Sequence, residues 1–284
     1  MQDFLLQIEK ATEANDGLFS ALQKFSSKNR PALADMRLEV SNGLAAGALN
    51  GNIKGAARDY GADIGVRVFW GKKITAGGFA GKSLGVNDFK NIGKTLDSLL
   101  GVALKRAKFN SVAKEKEMKR FPKEGKGLYS TKFAEVKISQ KEWTAPYKKN
   151  PLDATVEDFV QRSEMLSKEI SKTGGIATNS ISIFAALGRK VFASSEGSLI
   201  EQTRAITEPS VYIAAKGKVN ETYHEWIAEA RGLEALEGEN SHGKSLEDFA
   251  HFLAEGTVEL SNAPAAKFVK DATVITDPWF NTLL

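Results

Sequence analysis

The spacing of apolar residues along the chain changes from three-or-four to two and back again, twice. Between residues 2 and 28, Phe4, Leu5, Ile8, Ala11, Leu18, Leu22 and Phe25 fall near one stripe at helical period. This predicts a helix, interrupted near Gly17 and closed by Pro31. From Ala34 the period becomes two. Ala34, Met36, Leu38 and Val40 face one way and Asp35, Arg37 and Glu39 the other, the mark of a half-buried strand. Asn50-Gly51 is a hairpin signal between "LAAGA" and "IKGAARD". "DIGVRVFW", the turn "WGKK" and "ITAGGFA" extend this into a meander of about five short strands. Gly65, Gly71, Gly77 and Gly78 mark tight turns or close backbone approach. Asn87-Asp88 is placed to cap a helix lined by Phe89, Ile92, Leu96, Leu99, Leu100, Ala103 and Ala107.

The second cycle follows a polar stretch. Thr155 and Asp158 have the spacing of a capping box for a helix carrying Phe159, Leu166 and Ile170, which Gly174-Gly175 ends. "NSISIFAA", "RKVFASSEGSLIEQTRAIT" and "SVYIAAKGKVNETYHEW" alternate as strands, with turns expected at Leu187-Gly188, Ser195-Glu196-Gly197 and Lys216-Gly217. Ser245 caps a last helix with Leu246, Phe249, Ala250, Leu253 and Val258, ended by Pro264. The class is α+β: helices on antiparallel or mixed sheets in two successive units, with the start of a third. The expected domains are 1–110, 111–225 (opening on a basic connector) and 226–284, the last incomplete.

Composition changes this picture in two places. The 284 residues include no cysteine, which excludes disulfides, thiolate metal sites and thiol nucleophiles within them. Residues 105–132 hold ten Lys/Arg against three Glu, a local +7 in a chain whose total is +4. That segment suggests an exposed connector, with "FAEVKIS" as a strand near its end. Its nucleic-acid reading rests on phosphate contacts and on Phe109, Phe121 and Tyr129 as stacking rings. Interspersed Glu115, Glu117 and Glu124 favour a solvated linker. The N-terminus lacks the basic start and apolar core of a signal peptide, and no apolar run approaches the ~18 residues of a membrane span, so a cytoplasmic location is expected.

Candidate chemistry is sparse. The three histidines are His224, His242 and His251. "HEWIA" at His224 has Ala228 where a zinc-peptidase helix needs its second imidazole. His251 and Glu255 share a helix face but lack a third ligand. "SSEGS" at 194–198 suits a polar turn better than a serine nucleophile, which needs an oriented base. "GKS" at 81–83 lacks the glycine spacing of a phosphate-binding loop.

Three stretches together resemble the TldD/PmbA family of cytoplasmic metallopeptidases, once labelled modulators of DNA gyrase. The first is "ADMRLEVSNGLAAGALNGNIKGAARDYGADIGVRVFWGKKITAGGFAG", where Asn50, Gly51, Gly65, Val66, Arg67 and Val68 match and Asp63 departs from a usual Gly. The second is "SSEGSLIEQTRA" at 194–205. The third is the helix at 246–262 followed by "VITDPWFNTLL".

The resemblance implies that a His-Glu-x-x-x-His motif follows just after Leu284. It places no catalytic residue and no metal ligand within 1–284, and none can be carried onto His224, His242 or His251. For the full-length protein it implies zinc, a motif Glu as general base, and hydrolysis of unstructured peptides in a dimer cavity, with an identical or paralogous partner subunit. This stretch would supply cavity wall and dimer contacts. A non-catalytic partner subunit is the first alternative, and a nucleic-acid-binding protein using 105–132 the second.

Overall fold

In the computed structural model the chain is described over residues 15–71, 75–121, 136–264 and 273. The N-terminal part of the first predicted helix, the "KK" of the 70–73 turn, the second half of the basic segment, the start of "FAEVKIS" and the run from Val274 to Leu284 lie outside the described residues. The elements are α1 (Asn15–Asn29), β1 (Leu33–Leu49), β2 (Asn52–Trp70), β3 (Ala76–Ser83), the short α2 (Val86–Lys90), α3 (Ile92–Arg120), β4 (Gln140–Thr144), α4 (Val156–Ile170), β5 (Ile176–Ser194), β6 (Leu199–Lys216), β7 (Asn220–Trp226) and α5 (Leu246–Asn262), with 3-10 turns at Pro151–Asp153 and Leu233–Leu236.

The strands form one sheet in the order β3-β2-β1-β5-β6-β4, with β7 also paired to β6. All pairs are antiparallel except β4, which runs parallel to Leu199–Thr203. The α+β class expected from the alternating periods is what forms. The strand count is a correction. The expected five short strands of the first unit are three. β1, β2, β5 and β6 hold 17, 19, 19 and 18 residues, about 60 Å each if straight. β5 runs unbroken through Leu187-Gly188, where a turn was expected. There Gly188 pairs with Ser41 and Arg204, so the glycine serves the packing of the sheet and does not end a strand.

Asn50 (φ 50°) and Gly51 (φ 75°) form the two-residue hairpin turn that their identities predict. The turn sets the β1–β2 register from Leu49↔Asn52 to Leu33↔Phe69, with one irregularity at Gly47/Ala48. With that register, every even residue of β1 from Ala34 to Ala48 points to the helix-covered face and is buried. Two cores result. α1 and α3 cover one half, burying Leu18, Leu22, Leu96 and Leu100 against Met36, Leu38, Ile64 and Val66. α4 and α5 cover the other, burying Leu166, Ile170, Phe249 and Leu253 against Leu44, Ile181, Ile183 and Ile213.

Capping follows the sequence closely. The Asp158 amide donates to Thr155 Oγ1, and the Thr155 amide donates back to Asp158 Oδ2. The Asp248 amide donates to Ser245 Oγ. At α2 the cap is Gly85, not Asn87; Asp88 takes part by accepting from the Gly85 amide. The expected connector at 105–120 is instead the C-terminal half of α3, whose buried residues stop at Ala107.

Gly78 is where α3 lies against β3. A Cβ there would sit 2.1 Å from Ala103 O and 2.5 Å from the Ala107 amide nitrogen. Gly78→Ala should therefore cost about 1–3 kcal/mol or more by forcing helix and strand apart. Gly101, in the same helix, has nothing within 4 Å of an added Cβ, and Gly101→Ala should gain about 0.5–1 kcal/mol. Urea unfolding of the two variants, read as midpoints at constant slope, tests the pair.

Candidate functional site

The described helices occupy one face of the sheet, so among the described residues the odd positions of β1 and their cross-strand partners form a face that no helix covers, the bare face. Its upper half is charged and internally paired. Asp35, buried at 5% exposure, accepts from Arg67 Nε (3.0 and 3.2 Å) and Nη2 (2.8 Å). That contact stabilises the charged guanidinium and raises its pKa above the ordinary arginine value. Glu39 meets Lys190 at 2.9 Å and Arg37 at 3.9 Å. Ser83 Oγ donates to Asp63 Oδ1 (2.6 Å), while on the helix side of the same strand end Lys82 pairs with Asp88 of α2 (2.6 Å). Between these pairs lies a groove of about 540 Å³, bounded by Arg37, Asp63, Arg67 and Phe79. The Phe79 ring lies over Gly65 and Gly81, where an added Cβ would meet it at 3.3 and 3.0 Å.

A smaller furrow of about 230 Å³ continues toward mid-sheet, along the row Gly61, Ser41 and Gly188. Phe184 leans over Gly43 beside it, and Gln202 and Arg204 stand exposed at its far side. The lower half of the bare face is aromatic. His224 and Trp226 project from one side of β7 with ring centroids 4.3 Å apart, and Tyr212 meets His224 edge-on at 5.9 Å. Ser210 Oγ lies 3.0 Å from His224 Nε2.

The structure places each candidate of the sequence among its neighbours. His224 stands on a strand, as the alternation around Tyr223 predicts, and among the described residues no carboxylate joins its serine contact to orient the imidazole as a base. His242 stacks on Phe249 and His251 lies 3.9 Å from Glu169, so the three histidines have separate neighbourhoods. Among the described residues no group of three or more His, Asp or Glu is arranged to hold a metal ion. The hydroxyls of "SSEGS" build its turn: Ser195 Oγ accepts from the Ala34 amide, Ser198 Oγ from the Ser139 amide, and Gly197 has φ 109°. Lys82 and Ser83 of "GKS" are held by Asp88 and Asp63. No helix among the described residues is long and apolar enough to cross a membrane.

The Ser210–His224 contact and the groove under Phe79 escaped the sequence reading. Both join residues of different strands, and only the cross-strand register (Tyr212↔His224, Arg67↔Phe79) reveals them.

Glu234 is the buried carboxylate with the most backbone donors. It accepts from the amides of Lys148 (3.1 Å), Lys149 (2.9 Å) and Gly232 (3.1 Å), tying the chain before α4 to the 3-10 turn before α5. Burial alone would raise its pKa, but the backbone donors outweigh it, and the pKa falls below the ordinary 4.5. The group is structural.

The fold built on this sheet is the one seen in the TldD/PmbA family. A candidate modulator of DNA gyrase from Thermotoga maritima is 11% identical, with TM-score 0.51, over 88% of this chain and 47% of its own. TldE from Thermococcus kodakarensis is 14% identical, with TM-score 0.52, over 87% and 47%. A candidate gyrase modulator from Bacteroides thetaiotaomicron is 11% identical, with TM-score 0.51, over 86% and 50%. The chain thus spans about half the length of the structures it matches, and at these identities the likeness is one of fold. No family model and no curated protein matches the sequence.

Because its folded pKa is lowered, Glu234 contributes stability that is fully present above the ordinary glutamate value and lost as pH falls through the folded value. Glu234→Gln should cost about 1–3 kcal/mol near neutrality, by setting amide hydrogens against backbone donors. The gap from wild type should shrink as pH is lowered from about 6 toward 2. Urea midpoints across that range check both the size and the sign.

Proposed function

We propose that this chain is the scaffold part of a TldD/PmbA-type peptidase, contributing cavity wall and subunit contacts to an assembly whose metal chemistry is carried elsewhere. One observation supports the reading most: the fold of three structures, one of them a TldE, extends over 86–88% of this chain yet uses only half of theirs. The sequence motifs at 34–81 and 194–205 occur in the order that resemblance requires. The bare face, with its grooves and its exposed Trp226 and Phe79, is the surface such a role would use.

Zinc is what the resemblance implies for the whole protein. The described residues do not fit it: the histidines stand apart and no third ligand joins any of them. No step of peptide hydrolysis is derived through them. In the whole protein a metal would supply an activated water; this chain's part would be to wall the cavity and hold its subunits together.

The purified chain is expected to bind less than about one-tenth equivalent of zinc and to leave an unfolded casein substrate intact. It is expected to co-elute in size exclusion with a full-length paralogue carrying His-Glu-x-x-x-His. One-to-one zinc that disappears in His224→Ala overturns the assignment of metal chemistry elsewhere. Separate elution at micromolar concentration overturns the scaffold role. A chain that co-elutes and leaves its partner's cleavage rate unchanged would favour the non-catalytic-subunit alternative.

A further inference from the structure

The outer edge of β3 is sealed by one face of α3. Arg106 Nη1 donates to Phe79 O (2.6 Å), Asn110 Nδ2 to Gly77 O (2.8 Å) and Lys114 Nζ to Thr75 O (2.7 Å). The match is geometric. Four helical residues advance about 6 Å, and two strand residues about 6.7 Å. Residues i, i+4 and i+8 of an antiparallel helix thus meet successive outward carbonyls, and Gly78 lets the helix close enough to reach them. Along residues 75–79 a partner cannot add a strand, because those carbonyls are taken. Whatever docks at this edge is read by side chains.

The side chains left over have a definite chemistry. A shallow groove of about 640 Å³ runs between α3 and β3, and no acidic residue lines it. Phe109 is 74% exposed at one wall and Phe79 58% exposed at the other. Lys105 beside them has no hydrogen-bond or ion-pair partner among the described residues, and Arg106 keeps four of its five N–H donors beyond the one on Phe79 O. Four other cations of α3 have local positions: Lys108 over the Trp70 ring, Lys114 on Thr75 O, Lys119 on Glu115 and Arg120 over Phe121. The remaining two, Lys94 and Lys116, do not line the groove.

The two α3 cations at the groove suit one or two carboxylates. They are too few to track a nucleic-acid backbone, since neutralising two phosphates gives a salt slope of only about 2. Two exposed phenyl rings flanking the charges suit an apolar or aromatic side chain.

We propose that the groove between α3 and β3 is a docking site for an acidic segment of a partner protein that carries an aromatic or large aliphatic residue beside its carboxylates. Lys105 and Arg106 take the carboxylates, and Phe79 and Phe109 hold the apolar side chain between them.

The test is selection of a random dodecapeptide library on the immobilised full chain, followed by anisotropy with the enriched peptides. Enriched sequences are expected to be net negative and to carry at least one aromatic or Leu/Ile/Met. Lys105→Glu and Phe109→Ala are each expected to weaken them by about tenfold or more, while Trp226→Ala, on the bare face at the other end of the sheet, leaves them unchanged. Both tested residues are exposed, so circular dichroism and melting should match wild type. Enrichment of neutral or basic peptides, insensitivity to both variants, or no enrichment overturns the proposal. So does a thirty-residue oligo-dT that binds with a salt slope of about 4 or more and displaces the peptides.

Discussion

The length of the strands governs this structure. Four strands of 17 to 19 residues make a sheet about 60 Å long if straight, whereas a 15-residue helix such as α4 is about 22 Å. No single helix can cover it. Alternation therefore has to persist along each strand, and helices have to arrive in two groups. Between the groups the helix-covered face turns polar: Arg58 Nε donates to Asn42 Oδ1 at 3.3 Å, and Arg189 pairs with Glu201. This seam is where an uncovered apolar residue would be costly, and the sequence supplies hydrogen-bonding side chains there instead.

Every described helix lies on one face, and among the described residues the other face has no second layer. Small residues floor it, and aromatic rings from neighbouring positions lie over the glycines: Phe79 over Gly65 and Gly81, Phe184 over Gly43, and Phe69 over Gly77. Each ring shields backbone from water and gives a side-chain-free position a packing partner. The cost is exposed apolar area, seen at Phe79 and Trp226, and exposed aromatic area of this kind is what a partner surface uses. The same arrangement explains why the grooves lie where they do, since a ring beside a glycine row leaves a step in an otherwise even sheet.

Local signals in the sequence carried the elements whose causes are local. Asn50-Gly51 has the turn its backbone needs, Thr155 and Asp158 make their reciprocal cap, and Leu96, Leu100, Ala103 and Ala107 form the buried stripe of α3. What misled was glycine. At Gly65 and Gly188 it signals contact with a neighbour across the sheet, and a single chain written as a line cannot distinguish that from a turn. The Ser210–His224 contact was hidden for the same reason, because strand register is set by a turn far away in sequence. The caps, the Asn50-Gly51 turn and the helical stripes were thus legible, while the lengths of the first strands and the grooves, which depend on pairing between strands, were not.

Charge is the clearest case in which composition had to be re-read through geometry. A run of ten Lys/Arg in residues 105–132 looks like a polyanion site when counted. In α3, five of the described cations of that run have a neighbour of their own: Arg106, Lys108, Lys114, Lys119 and Arg120. Arg106 and Lys114 act with Asn110 as donors to a strand edge that would otherwise offer its carbonyls to any passing chain. Lysine and arginine suit that task because their long stems span from helix to strand and their donors remain charged at any physiological pH. The excess of positive charge is then partly a consequence of edge protection. The charge that α3 offers at the groove is not the +7 of the segment but Lys105 and Arg106, framed by two phenyl rings. A charge that small, beside so much exposed ring, selects a partner by the pairing of a carboxylate with an apolar side chain, and not by the density of its negative charge.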